Sequence, residues 1–244
     1  MNNIKLLSNV SFKTRCYRKN SDLITENENI ITEYSGVINE LKMAERKPPF
    51  VIGEYGFSVW NIEIGQMLDI DFNKLLKDFA VDDSYTELLN AVNNKLIDIT
   101  KYRKIVFIHS IILRSDYRKR GITEEFMEFI YRDFYDKDNL IIALVKPFQY
   151  NDGEVDYLNH NFIEISKTIG EVERMEKIPA FEYFSLNDLY DKDDVESNEY
   201  RLFSVASKCG FTRLGETHIF KFSPEKTLVR MIAKIKKMNQ DEMV

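Results

Sequence analysis

Residues 104–145 decide the fold: KIVFIHSIIL (104–113), RSDYRKRG (114–121), ITEEFMEFIYRDFYDKDN (122–139) and LIIALV (140–145). The first segment is rich in β-branched side chains and almost continuously apolar, so it reads as a strand covered on both faces and central in a sheet. After the basic turn, Ile122, Phe126, Phe129, Ile130 and Phe134 repeat at helical spacing. Leu140 to Val145 is a second buried strand, stopped by Pro147. A strand-turn-helix-strand unit closes with right-handed, parallel geometry. That geometry lays the helix over the sheet and sets its N-terminus beside the end of the first strand.

Upstream, Lys47-Pro48-Pro49 separates a segment of weak pattern from Phe50 to Ile64, in which Val51, Ile52, Phe57, Val59, Trp60, Ile62 and Ile64 surround Gly53 and Gly56. Two strands joined by a turn or bulge are expected there. Before the prolines, a strand is expected around Val10 to Tyr17 and a helix over Asn29 to Met43. Phe72, Leu75, Leu76 and Phe79 then give one helix. Ser84 and Glu87 form a capping box for a second, which carries Leu88, Leu89, Val92 and Leu96. Downstream, Leu202, Val205, Ala206 and Cys209 suggest a helix ended by Gly210, followed by a strand over Phe211 to Phe222. Ser223 and Pro224 then start a last helix, whose stripe of Leu228, Met231, Ile232, Ile235 and Met238 runs beside Lys226, Arg230, Lys234, Lys236 and Lys237.

The whole is read as one α/β (α+β) domain of 244 residues. A core over 50–222 has a mixed central sheet flanked by helices, with an N-terminal extension (1–49), an acidic insertion (151–195) and a C-terminal helix (223–244). With 44% hydrophobic and 30% charged residues the chain can bury a sizeable core. No apolar run approaches the roughly 20 residues of a spanning helix, and the opening residues lack the apolar block of a secretory signal. A cytoplasmic protein with no membrane partner is therefore expected. The net charge of −6 argues against nucleic acid. It is concentrated between Asp152 and Glu199, where fourteen acidic residues face four basic ones. Such a run is a solvated surface, or a field that draws in a cationic acceptor. Trp60 reads as core, and Phe181, Tyr183 and Phe184 lack the basic neighbours that stacking on RNA would call for. Cys16 and Cys209 match no metal spacing and read as structural thiols. The stripe of the last helix is expected to pack on the domain or on a second subunit, which leaves a homodimer open.

The turn Arg118-Lys-Arg-Gly121-Ile-Thr123 is an anion site in outline. A helix start offers unpaired amides, Gly121 lets a ligand approach the backbone, and Arg118, Lys119 and Arg120 add charge, whereas Glu124 and Glu125 oppose it. This turn resembles the signature of the GNAT superfamily of acyl-CoA-dependent N-acetyltransferases: Arg or Gln, two residues, Gly, one residue, then Gly or Ala. Thr123 departs from the last position. FSVASKCGFTRL (203–214) also resembles that family's later helix, which ends in Gly-Phe before a strand. Lys146-Pro-Phe-Gln149 is similar to members with a long segment before that helix.

The resemblance implies a GNAT-type sheet with acetyl-CoA as co-substrate and no metal. Backbone amides from Arg118 to Thr123, through Lys119, Arg120, Gly121 and Ile122, would hold the pyrophosphate. Ile111, Ile112 and Leu113 would face the pantetheine arm where two strands splay. The expected reaction is acetyl transfer to a primary amine of a small molecule or protein, and it needs a base. His109, mid-strand and with a reference pKa near 6.5, is the first candidate; a hydrogen-bonded core histidine is its alternative. Glu54 and Glu63 compete with it. The family's acidic tyrosine falls at Ala206, so Tyr150 is considered as the proton donor, and a catalytically inactive scaffold for protein interaction stands as the rival reading.

Overall fold

The computed structural model describes residues 10–18, 30–40, 50–79, 83–113, 117, 120–146 and 195–241. Chain order runs β1 (Val10–Arg18), β2 (Ile31–Glu40), β3 (Phe50–Asn61), α1 (Ile62–Met67), α2 (Phe72–Phe79), α3 (Asp83–Asn93), a short 3₁₀ turn (Ile99–Lys101) and β4 (Lys104–Leu113). It continues through α4 (Ile122–Phe134), β5 (Asn139–Leu144), α5 (Val195–Lys208), β6 (Phe211–Arg213), β7 (Ile219–Phe222) and α6 (Glu225–Asp241). The strands form one mixed sheet in the order β1-β2-β3-β4-β5-β7-β6. β4 lies at its centre, and β4 with β5 is the parallel pair, as the crossover through α4 requires.

Helices cover both faces of this sheet. On one, Ile31, Trp60, Ile105, Phe107 and Ile142 pack against Phe72, Leu75, Leu76, Tyr85 and Leu88 of α2 and α3. On the other, Ile38, Tyr55, Phe57, Val106 and Ile108 pack against Ile122, Phe126 and Ile130 of α4 and Ala206 of α5. Alternation along each strand feeds both layers, so Ile105 and Phe107 go one way while Val106 and Ile108 go the other. Among the described residues no helix is long and apolar enough to cross a membrane.

The structure corrects several expectations. Asn29 to Met43 does not form a helix: Ile31–Glu40 is β2, hydrogen-bonded between β1 and β3. The sheet therefore continues upstream of residue 50, and β1 and β2 are part of it rather than an appended extension. Phe50 to Ile64 is not two strands but one of twelve residues, with register shifts near Ile52 and Gly56, and it passes directly into α1. Among the described residues three helices, not two, thus precede β4. α3 begins at Asp83, so Ser84 lies within the helix instead of capping it, and the Glu87 carboxylate reaches His218. Phe211 to Phe222 is a hairpin, reversed at Gly215 with φ of +57°. The stripe on α6 is only partly covered by the domain: Met231 is half-buried, whereas Ile232 and Ile235 are half exposed. α6 is also tied to α4 by ion pairs from Arg230 (3.0 Å) and Lys234 (2.8 Å) to Glu128. The expected acidic insertion falls almost wholly outside the described residues.

Candidate functional site

The site begins with an irregularity in β4. Gly56 of β3 pairs with Ser110, but Phe57 pairs with Ile108, so His109 is an extra residue, a β-bulge that re-aims its neighbours. Before the bulge Phe107 faces α3. At it, both His109 and Ser110 turn to that same face, where each lies about 3 Å from the position a Cβ on Gly56 would take. After it, Ile111 and Leu113 return to the α4 side. The pairing of β4 with β5 also ends here, at Ile108 opposite Ala143, although β4 runs on to Leu113. β5 itself ends one residue later, at Leu144, and the Val145 amide continues its pairing on the β7 side by donating to the His218 carbonyl at 2.8 Å. Beyond Ile108 that edge of β4 has no strand partner among the described residues.

Eight residues separate the end of β4 from the start of α4. Gly121 is its N-cap residue, with φ of +79°, and contributes no side-chain acceptor to the first helical amides. The Arg120 guanidinium stacks over the buried Tyr117 ring, 4.6 Å from its centre. Ile122 is buried against the sheet and Thr123 is partly covered. Glu124 faces back toward the turn, its carboxylate 3.8 Å from the space beside Gly121, which lowers the local positive potential. Arg118, Lys119 and Tyr150 lie outside the described residues.

His109 is held from β2. Its Nε2 is 3.3 Å from Glu33 Oε2, a close approach without the alignment of a hydrogen bond. Glu33 Oε1 accepts a 2.5 Å hydrogen bond from the Tyr85 hydroxyl of α3. The imidazole also meets the rings of Phe107 and Tyr85 edge-on or tilted, with centroids 5.8 and 6.1 Å away. The Glu33 carboxylate thus stands between the Tyr85 hydroxyl and the His109 imidazole, whose Nε2 is itself buried.

Glu54 projects from β3 onto the same face, between Val37 of β2 and Ile112 of β4. The residue is only partly covered, but its carboxyl group sits deep enough that desolvation pushes its pKa up to about 7. Glu63 is not brought to this place. It lies on α1 at the opposite end of β4, where it accepts from Arg103 at 2.9 and 3.0 Å. A second histidine–carboxylate pair stands beside the end of β5: His218 Nδ1 is 3.3 Å from Glu87 Oε1, with Lys146 Nζ 4.0 Å from the same oxygen.

Ala206 is buried against the α4 side of the sheet and holds no proton to give. Cys209 is buried too, and burial, followed by the charge of Glu124, pushes its thiol up to about 12, so it is inert. Sequence reading missed Glu33, Tyr85, Glu87 and His218, since each gains its meaning only from a neighbour far along the chain. No protein-family model, no curated protein and no solved structure matches this chain.

Proposed function

We propose that the protein is a GNAT-type N-acetyltransferase that moves an acetyl group from acetyl-CoA to a primary amine. The observation that carries this reading is that β4 runs on past its last pairing with β5, at Ile108, through a bulge that holds His109. A thioester arm laid along that edge would meet the β4 backbone at Ile111 to Leu113, and the start of α4, where Gly121 supplies no side-chain cap, would offer amides to a pyrophosphate.

The chemistry requires little beyond positioning. The amine arrives as an ammonium ion and loses one proton to solvent. Its nitrogen bonds to the thioester carbonyl carbon, the carbon–sulfur bond breaks, and CoA departs as a thiolate. His109 takes the second proton from nitrogen, the Glu33 carboxylate stabilises the imidazolium, and the thiolate is protonated from solvent. No metal, oxidant or further co-reactant enters the balance.

Titration calorimetry with acetyl-CoA tests the first half of this reading, and release of CoA thiol on adding primary amines tests the second. Saturation at a hundred times the dissociation constant should stabilise the fold by about 2.7 kcal/mol. Neither binding nor stabilisation would remove the proposal. A non-catalytic scaffold is the second reading, and Ala206 favours it, because the position of the family's acid is an apolar core residue. Acetyl-CoA binding without thiol release from any amine would decide for the scaffold.

A further inference from the structure

The polar groups on the α3 face of the sheet extend past His109. Residues directly opposite in an antiparallel pair share a face, so Glu33 lies beside Ser58, Ser35 beside Gly56, and Val37 beside Glu54. Tyr55 and Phe57, the alternate residues of β3, go to the α4 side. Asn39 follows Val37 by two residues on β2 and pairs with Val51; the extra residue of the register shift there, Ile52, belongs to β3, so β2 keeps its alternation and Asn39 lies on the α3 face, diagonal to Glu54. Its side chain is completely buried, and among the described residues neither its amide oxygen nor its amide nitrogen has a hydrogen-bond partner. A buried amide left unpaired costs about 1–3 kcal/mol, so it needs a reason. Glu54, beside it, has no hydrogen bond or ion pair among the described residues and keeps part of its surface open.

One end of this face thus holds a carboxylate and an unsatisfied amide, and the other holds the His109 imidazole. Glu54 and Gly56 are one two-residue step apart along β3, about 6.6 Å, and Gly56 is where the His109 ring sits. We infer that Glu54 and Asn39 are the recognition end of the acceptor site, and that the preferred acceptor is an α,ω-diamine. One ammonium group donates to the Glu54 carboxylate and to Asn39 Oδ1, while the other nitrogen, deprotonated, reaches the thioester beside His109. An ammonium carries three donors and no acceptor, which suits a site presenting a carboxylate and an amide oxygen. The inference rests on the acetyl-transfer reading for the fate of the second nitrogen, but not for the binding of the first.

Binding is therefore the test, read on the full chain by calorimetry with 1,5-diaminopentane, 1,4-diaminobutane and n-pentylamine, without acetyl-CoA. At least one diamine should bind ten-fold or more tightly than the monoamine, and Glu54→Gln should erase that preference. Asn39→Leu should weaken the diamine while raising the thermal midpoint, because it replaces an unpaired buried amide with an apolar group of similar size. A residue with a purely structural role would not move both in that way. Equal affinity for diamine and monoamine, or an unchanged preference in Glu54→Gln, overturns the inference whether or not acetyl-CoA binds. Acetyl-CoA titrated separately tests the transferase reading on its own.

Discussion

Glu54→Gln also has a consequence for stability that follows from burial alone. Unfolded, the carboxyl titrates near its ordinary value of 4.5, and in the folded protein near about 7. Between those values the native chain keeps a proton that the unfolded chain has released. Stability therefore falls as pH rises through that window and levels off above it. At 1.36 kcal/mol for each unit of pH, the full effect is about 3 kcal/mol, an upper figure because the residue is not wholly covered. Glutamine has a similar shape and no charge, so the variant escapes this loss. Urea unfolding of both proteins from about pH 5 to about pH 8 isolates it, since every other titrating group is common to the two. The variant's stability relative to the wild type should grow by roughly 2–3 kcal/mol across the range. A difference that stays constant with pH would mean that water reaches the carboxyl group freely, and the desolvation argument would be wrong.

Gly121→Glu should abolish acetyl-CoA binding, because it forces a side chain into a left-handed position and sets a second carboxylate beside Glu124; calorimetry showing unchanged affinity would misplace the cofactor. His109→Ala should lower turnover and flatten its pH dependence while leaving acetyl-CoA affinity intact, and an unaltered pH profile would return His109 to the core. Gly56→Ala should act through His109. The new methyl group would stand 2.9 Å from Ser110 Oγ and 3.0 Å from the imidazole, so steady-state assays should show a several-fold fall in kcat with acetyl-CoA binding retained. Glu128→Gln leaves Arg230 and Lys234 without their partner between α4 and α6. It should cost about 1 kcal/mol, less at high salt, in thermal unfolding followed over a salt series.

The parts of the fold that were legible in the sequence are those whose burial is uniform. β4 is apolar along nearly its whole length and its limits, Lys104 and Leu113, coincide with expectation. α4 carries one clean stripe and starts at the expected Ile122. β2 was illegible for the opposite reason. Ile31, Tyr34 and Ile38 fall at three- and four-residue intervals, a helical spacing, but Ile31 enters one layer and Tyr34 and Ile38 the other. Only a strand buried on both faces uses those positions, and that context comes from β1 and β3. The candidate site divides in the same way. His109 and Glu54 stand out as polar residues in apolar strands, whereas Glu33 and Tyr85 reach the site from elements 52 residues apart, a relation no local pattern encodes.

The bulge couples these two halves. In an unbroken strand, side chains alternate, so His109 and Ser110 would face opposite layers, and Ile111 and Leu113 would fall on the α3 side. The extra residue lets two consecutive polar side chains share the α3 face while Ile111 and Leu113 keep their places in the α4 layer. The same irregularity lies where β4 loses β5 as a neighbour, since β5 ends at Leu144. Removing one residue from β4 at this point would close the bulge and restore regular pairing with β3. It would also leave a single polar side chain, His109 or Ser110, on the α3 face opposite Gly56, with Ile111 and Leu113 still in the α4 layer. The sheet can be regular there, or it can carry this polar pair, but not both.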